Sequence, residues 1–153
     1  MESLHPRVQI VWILQAAIFS GILGGITFGV DRFVLGIGWI LPAGVFGMIF
    51  LLFAIHTVLR YRIWGFEIRD DELYLRRGVI TRVQTVVPYV RIQHVDSSRG
   101  PLERLIGLAT TVVYTAGSRG ADVIIPGLTP SRSEALQDEL KELAIESEGE
   151  DAV

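Results

Sequence analysis

Seven arginines in the second half of the chain carry most of its potential for binding chemistry. Arginine supplies 13 of the 14 basic residues, and its planar guanidinium binds carboxylates and phosphates through paired hydrogen bonds. Residues 60–126 contain ten Arg against seven acidic residues, so this stretch is suited to an anionic surface. The alternative is that these arginines are solvated or pair with local acids such as Asp96 and Glu103. The candidate headgroup-binding or partner-binding residues are Arg76, Arg77, Arg82, Arg91, Arg99, Arg104 and Arg119.

His94, Asp96 and Ser97 are of the residue types that form a nucleophilic triad, but their spacing argues against one. On an extended strand His94 and Asp96 share a face, whereas Ser97 points to the other. A triad also needs a nucleophile on a strained turn and an oxyanion hole, and the sequence indicates neither. We therefore predict no catalytic residues. We expect Asp96 or Ser97 to cap a short helical turn that opens at Gly100.

The composition also argues against metal, cofactor and nucleic-acid binding. The chain has no cysteine, which excludes thiolate-bound zinc and iron–sulfur clusters. Its three histidines are not accompanied by clustered carboxylates, and no phosphate-binding glycine loop is present. The isoelectric point of about 5.6 disfavours nucleic acid. We predict no metal, no cofactor, no nucleic-acid partner and no small-molecule substrate.

Two apolar runs near the N-terminus predict a transmembrane hairpin. Residues 8–59 contain only two charged residues, Asp31 and Arg32. The runs at residues 8–30 and 33–59 would extend roughly 34–40 Å as helices, enough to cross a hydrocarbon core of about 30 Å. A cleaved signal peptide is the weaker alternative, because a second span follows at once. We therefore assign residues 1–59 to a two-span hairpin.

The charges that flank the hairpin predict its orientation in the cell membrane. Two spans joined so tightly must be antiparallel, which leaves both ends on one side. His5 and Arg7 precede the first span, Arg60 and Arg62 follow the second, and the connecting loop has no net charge. The positive-inside rule then predicts that both termini are cytoplasmic.

Three glycines recur every four residues along the first span. In lipid, glycines on one helical face allow close backbone approach. We predict a helix–helix contact there, within the hairpin in preference to between copies of the chain. The alternative is that these glycines are incidental. The residues concerned are Gly21, Gly25 and Gly29.

Residues 60–146 predict a small α+β domain. From Tyr61 onward the hydropathy alternates as in β-strands, with six predicted strands separated by tight turns. A helix follows, capped by Thr129 or Ser131, with an apolar stripe at Leu136, Leu140 and Leu143. We expect this helix to cover the open end of a bent antiparallel sheet. The acidic residues 147–153 are predicted to be a disordered tail.

The residues from Arg91 to Ala109 resemble the signature stretch of prokaryotic pleckstrin-homology-like (bacterial PH) membrane proteins of the YdbS type. Leu4-His5-Pro6 before the first span and Ile125-Pro126-Gly127-Leu128 before the last helix add to the resemblance, which covers about residues 4–145. It implies a bent antiparallel sheet, or partly open barrel, usually of seven strands and capped by a C-terminal helix. The family has no known catalytic activity and its ligand is generally unassigned. Eukaryotic relatives bind phosphoinositides through basic residues in the first strand–strand loop, which here is the acidic Asp70-Asp71-Glu72.

These observations predict a non-enzymatic, membrane-anchored scaffold or interaction protein. Its expected partners are membrane lipid and another membrane protein or a second copy of the chain. The leading alternative is a module that binds anionic lipid headgroups at the cytoplasmic membrane face. A membrane enzyme is the least favoured class.

Overall fold

The chain divides into two compact units that do not follow the boundaries expected from the sequence. The computed structural model describes residues 1–117 and 122–151, the side chains of the last two excepted. One unit, the helical hairpin, is Gln9–Arg62; the other, the sheet domain, combines Met1–Val8 with Ile63–Val153. The expected division into 1–59 and 60–146 therefore misplaces the first eight residues. They belong to the sheet domain, and the hairpin is an insertion within it.

The hairpin consists of two long apolar helices. Helix α1 spans Val8–Val30 and continues through one π-helical turn at Asp31–Leu35, and helix α2 spans Ile40–Ile63. Both are long and apolar enough to cross a membrane. The second helix starts seven residues later than the predicted span at 33–59 and ends four residues after it. Gly36 and Gly38 interrupt the helical path because both adopt positive φ angles, 64° and 110°.

Asp31 organises the loop between the two helices. The side chain is buried, with 4% of its surface exposed. Its carboxylate accepts hydrogen bonds from the backbone N–H groups of Ile37 and Gly38, at 2.8 and 3.1 Å. Its own carbonyl oxygen accepts one from Gly36 at 2.7 Å. The acidic residue that interrupts the apolar sequence thus fixes the conformation of the loop that follows.

The glycine that brings the two helices together is Gly24, outside the predicted stripe. A Cβ at Gly24 would lie 3.1 Å from Cβ of Phe46, whereas nothing lies within 4 Å of a Cβ placed at Gly21, Gly25 or Gly29. The prediction that this stripe packs within the hairpin is therefore wrong. Gly24 is one residue, about 100° of helical rotation, away from the stripe. A contact between copies through the stripe remains a prediction.

Seven strands form two antiparallel sheets in the described part of the sheet domain. The strands are β1 at Glu2–Ser3, β2 at Gly65–Ile68, β3 at Glu72–Arg77, β4 at Val83–Pro88, β5 at Ile92–Ser98, β6 at Ala109–Thr115 and β7 at Val123–Leu128. The sheets have the orders β1-β2-β3-β4 and β5-β6-β7. All six predicted strands are present, but the two predicted at 79–87 and 89–96 start later, because residues 78–82 form a turn and Tyr89–Arg91 a 3₁₀ turn. The seventh strand, β1, precedes the hairpin.

The N-terminal segment is part of the core of the sheet domain. In the β1–β2 ladder Glu2 lies opposite Phe66 and Ser3 opposite Gly65. Leu4 is 1% exposed. The backbone N–H of the next residue, His5, donates to the carbonyl of Gly127 at 2.7 Å. The segment thus contacts both sheets, one through β2 and the other through β7.

Two further contacts hold this segment. Gly127 has a φ of +66°, and a Cβ there would lie 2.6 Å from Cβ of the buried Val8, so the close approach requires glycine. Arg132 donates two hydrogen bonds to the carboxylate of Glu2, at 2.6 and 2.9 Å. This carboxylate raises the pKa of the Arg132 guanidinium.

The C-terminal helix α4, Pro130–Asp151, covers the sheets as predicted. The N–H of Arg132 donates to the Thr129 hydroxyl at 3.2 Å, which identifies Thr129 as the cap. Leu136 and Leu140 are fully buried and Leu143 is half-buried, against β5, β6 and the 3₁₀ turn. The prediction of a disordered tail from 147 is wrong for residues 147–151, which continue the helix because no proline interrupts it. Short helix α3, Pro101–Ile106, lies between β5 and β6 in the chain.

Candidate functional site

The candidate arginines occupy three places in the sheet domain. Three of them lie at the β3–β4 turn, where Arg77 faces Val83 and Arg76 faces Gln84 across the ladder. Arg91 ends the 3₁₀ turn. Two more flank or belong to α3, and Arg119 lies outside the described residues. The turn group is Arg76, Arg77 and Arg82, and the α3 group is Arg99 and Arg104.

The α3 group binds main-chain carbonyls. Arg99 Nε donates to the carbonyl of Leu108 at 3.3 Å, and Arg104 Nε donates to the carbonyl of Arg99 at 3.2 Å. The expected ion pairs to Asp96 or Glu103 do not form. These two arginines therefore support the local backbone.

Glu103 is already engaged as the cap of α3. Its carboxylate accepts hydrogen bonds from the N–H of Gly100 at 2.8 Å and from the Thr110 hydroxyl at 2.6 Å. The expectation that Asp96 or Ser97 caps this helix is wrong, because Glu103 reaches back from within the first turn to the exposed N–H.

No candidate arginine forms an ion pair within residues 1–117 and 122–151. The arginine ion pairs that do form involve other arginines: Arg69 pairs with Glu67 and Glu72, and Arg132 pairs with Glu2 and Glu139. The Arg69 ion pairs could have been predicted from the sequence, because their members lie within five residues of one another. The pair of Arg132 with Glu2 joins residues 130 positions apart and could not. Within the described part of the chain, the turn group therefore has no acidic partner.

Tyr89 holds the acidic β2–β3 turn in place. Its hydroxyl oxygen lies 2.6 Å from the carbonyl of Arg69 and 3.0 Å from that of Glu72. The side chain is 1% exposed, and this burial raises the pKa of Tyr89 to about 12. Asp70 and Asp71 line an adjacent cavity of about 420 Å³, whose carboxylates do not favour an anionic ligand.

A groove of about 320 Å³ lies between strand β5 and helix α4. It lies beside an outer strand of its sheet. No local sequence pattern predicts this groove, because its two walls are about 45 residues apart in the chain. Ile145, on its rim, is 63% exposed. Its walls are formed by Ile92, Gln93, His94 and Val95 on the strand and by Gln137, Lys141, Ala144, Ile145 and Glu148 on the helix.

Polar contacts shape the strand side of this groove. Gln137 Nε2 donates to the carbonyl of Val95 at 2.8 Å. The ladder with β6 shifts register between Ile92 and His94. The His94 ring stacks on Tyr114 with a centroid separation of 4.1 Å. The groove thus offers a strand edge, apolar side chains and titratable groups to a ligand that runs along β5.

The triad types are not assembled in the described residues. His94 Nε2 lies 3.9 Å from Asp96 Oδ2, whereas the Ser97 hydroxyl is hydrogen-bonded at 2.7 Å to Ser133. Ser133 is itself 2.7 Å from the buried Thr111 hydroxyl. Ser97 therefore belongs to a buried hydroxyl network that joins α4 to the sheet. Within the described residues, no three His, Asp or Glu side chains cluster as metal ligands.

Comparison with known proteins gives a consistent result. Residues 13–144 match the model of a family described as "Bacterial PH domain". The chain is 33% identical over 151 residues to the UPF0699 transmembrane protein YdbS of Bacillus subtilis (strain 168), covering 94% of this chain and 92% of that protein. It is 22% identical over 93 residues to the UPF0699 transmembrane protein YdbT of the same organism, covering 60% of this chain and 19% of that protein. No solved structure gives a significant match.

Proposed function

The chain belongs to the bacterial PH domain family, and we propose that it is a non-enzymatic, membrane-anchored scaffold that binds a partner protein in the β5–α4 groove. The observation that carries this proposal is the outer strand β5, where Gln137 binds the carbonyl of Val95, beside the exposed apolar rim of α4. An outer strand presents backbone N–H and C=O groups that can pair with another chain. Peptides that add to a sheet edge gain affinity from those groups and specificity from adjacent pockets.

The proposed occupant is an extended segment of another membrane protein. Ala144 and Ile145 offer a small apolar site on the helix side of the groove, and Ile145 is solvent-exposed. Lys141, the only lysine of the chain, lies on the same wall and favours an acidic residue in the bound segment. A segment with one apolar side chain and one nearby carboxylate fits this chemistry.

A crosslinking experiment in native membranes tests this function. A photo-crosslinking amino acid replaces the exposed Gln93 in the full chain. In the test variant of this chain, Ile145→Glu places a charge on the groove rim. The matched control is Ile124→Glu, which changes an isoleucine 51% exposed on β7, outside the groove. We expect the same crosslinked partner band with the wild-type rim and with Ile124→Glu, and at least a tenfold loss with Ile145→Glu. A band that persists in Ile145→Glu, or no protein crosslink at all, contradicts the proposal.

We further propose that both termini and the sheet domain are cytoplasmic. Pairing of Glu2–Ser3 with Gly65–Phe66 supports an arrangement in which both ends of the hairpin lie on one side of a membrane. Arg7 before α1 and Arg60 and Arg62 at the end of α2 favour the cytoplasm for that side. The chain lacks cysteine, so single cysteines report accessibility. A cysteine at Phe33, in the π-helical turn between the two helices, replaces a side chain that is 88% exposed and should react with an impermeant reagent in intact cells. A cysteine at Glu148 should react only after lysis. The reverse pattern contradicts this orientation.

A further inference from the structure

The β3–β4 turn presents an isolated apolar tip to solvent. Ile80 is 93% exposed, the highest value among the large apolar side chains of the sheet domain. Gly78 fixes the turn with a φ of +96°, because a Cβ there would collide with the carbonyl oxygen of Thr81. The exposure of Ile80 is therefore a property of a tight, preformed turn.

Basic residues flank this tip in the chain. Arg76 and Arg77 end β3 and Arg82 precedes β4, so all three lie within four residues of Ile80 in the chain. None of them forms an ion pair with a described residue. An exposed apolar side chain flanked by arginines that have no acidic partner among the described residues matches the interfacial region of an anionic bilayer, where apolar tips meet acyl chains and arginines meet headgroups.

The β3–β4 turn lies near the start of β2, the strand that follows α2 in the chain. Arg76 lies opposite Gly65 in the β2–β3 ladder, and its Nε donates to the carbonyl of Ile63, the last residue of α2, at 3.4 Å. Ile80 is four residues beyond Arg76, so the backbone can separate them by at most about 14 Å. The last turn of α2 carries Arg60 and Arg62, and Trp64 follows the helix. Such residues are typical of a membrane–water interface.

We propose that the β3–β4 turn is a bilayer-docking site that inserts Ile80 into the interface of anionic lipid and holds it there through Arg77 and Arg82. The site is distinct from the acidic β2–β3 turn and from the β5–α4 groove. It does not depend on the partner-binding function proposed above.

Fluorescence from the full chain in lipid nanodiscs tests this proposal. A single cysteine at position 80, in a chain without other cysteines, carries an environment-sensitive dye. The nanodiscs contain either phosphatidylcholine alone or phosphatidylcholine with phosphatidylglycerol, each with spin-labelled lipid as a quencher. The matched control is the same dye at Ile124, and a second preparation combines the position-80 probe with Arg77→Gln and Arg82→Gln.

We expect the probe at position 80 to shift to shorter wavelength and to be quenched in the anionic nanodiscs, at least twofold more than in phosphatidylcholine. The probe at Ile124 should report water in both. Replacing the two arginines should lower the docked-to-undocked ratio by roughly fivefold for each arginine removed. A position-80 probe that is unquenched in anionic lipid, or quenched equally in both lipids and with or without the arginines, overturns the proposal.

Discussion

Several residues have an identity or an ion pair that is determined by a neighbour distant in sequence. Gly127 must be glycine because Val8, about 120 positions earlier, occupies the space of its Cβ. Glu2 neutralises Arg132 across a similar separation. Such contacts could not be predicted from the sequence, because the two partners lie far apart in the chain.

Tyr89 provides a test with a pH signature. Tyr89→Phe removes a hydroxyl that lies within hydrogen-bonding distance of two backbone carbonyls, and we expect it to lower the free energy of unfolding by about 0.5–1.5 kcal/mol at neutral pH. The pKa of Tyr89 is raised to about 12 in the folded protein, against about 10 for an unperturbed tyrosine. Above pH 10 the unfolded chain releases this proton while the folded chain keeps it, so the wild type loses stability as pH rises toward 12.

Denaturant unfolding of the full chain in detergent, followed by circular dichroism from pH 8 to 11.5, measures this effect. The difference between wild type and Tyr89→Phe should shrink above pH 10, because other titrating groups are common to both. Tyr74→Phe is the control, since the Tyr74 hydroxyl has no hydrogen bond within the described residues. A difference that stays constant across this pH range would contradict the role assigned to Tyr89 burial.

For the helices and strands, sequence periodicity predicted where each element lies better than it predicted which face of the element packs. The glycine period of four indicated a close-packing face on α1, yet Gly24 makes the contact with α2. In lipid both faces of an apolar helix are equally acceptable to solvent, so hydropathy does not select the face that packs. In the sheet domain, water makes that selection, and the predicted stripe of Leu136 and Leu140 is buried.

Leucine substitutions at adjacent glycines distinguish the two faces of α1. Gly24→Leu forces a side chain against Phe46, whose Cβ would be 3.1 Å from the new Cβ, and overpacking of this kind typically costs about 1–3 kcal/mol. Gly25→Leu enters open space and should leave hairpin stability unchanged. Thermal denaturation midpoints of the two variants in detergent make the comparison, with Ile26→Leu as a control on an exposed position. Equal midpoints for Gly24→Leu and Gly25→Leu would refute the contact.

The same pair of variants tests the remaining prediction for the stripe. If Gly21, Gly25 and Gly29 join two copies of the chain, Gly25→Leu should shift the protein from dimer to monomer by light scattering in detergent. An oligomeric state identical to wild type would remove that interpretation, because the leucine side chain projects from the face in question.

For the whole molecule, the parts of the fold that depend on residues close together in the chain could be predicted. These parts are the two uncharged runs, the six alternating segments and the capped amphipathic helix, and all are present. The unpredicted parts are non-local. Strand β1 is two residues long and pairs with β2, which lies more than 60 positions later in the chain, beyond the apolar hairpin. The β5–α4 groove likewise forms only when the last helix lies against the sheet.

The membership of residues 1–8 in the sheet domain leads to a prediction about which fragment folds. A soluble protein made of residues 1–8, a ten-residue Gly-Ser linker and residues 63–151 should fold without the hairpin. Ser3 lies opposite Gly65. The extended chain from Ser3 to Val8, one strand spacing and the extended chain from Gly65 to Ile63 together place Val8 and Ile63 at most about 31 Å apart. Ten linker residues span about 33–36 Å when fully extended, which is sufficient.

This fused domain should be markedly more stable than residues 63–151 alone. The fragment without the N-terminal segment loses the burial of Leu4 and Val8, which are 1% and 2% exposed, and burial of such side chains stabilises by about 1.5–3 kcal/mol each. It also leaves the edge of β2 unpaired at Gly65 and Phe66, and the Arg132 guanidinium without Glu2. Urea unfolding measures the difference, and Leu4→Ala in the fused domain, expected to cost about 2–5 kcal/mol, assigns it to core packing. Equal urea midpoints for the fused domain and the 63–151 fragment would mean that the first strand is dispensable, and that the sheet domain begins where the second helix ends.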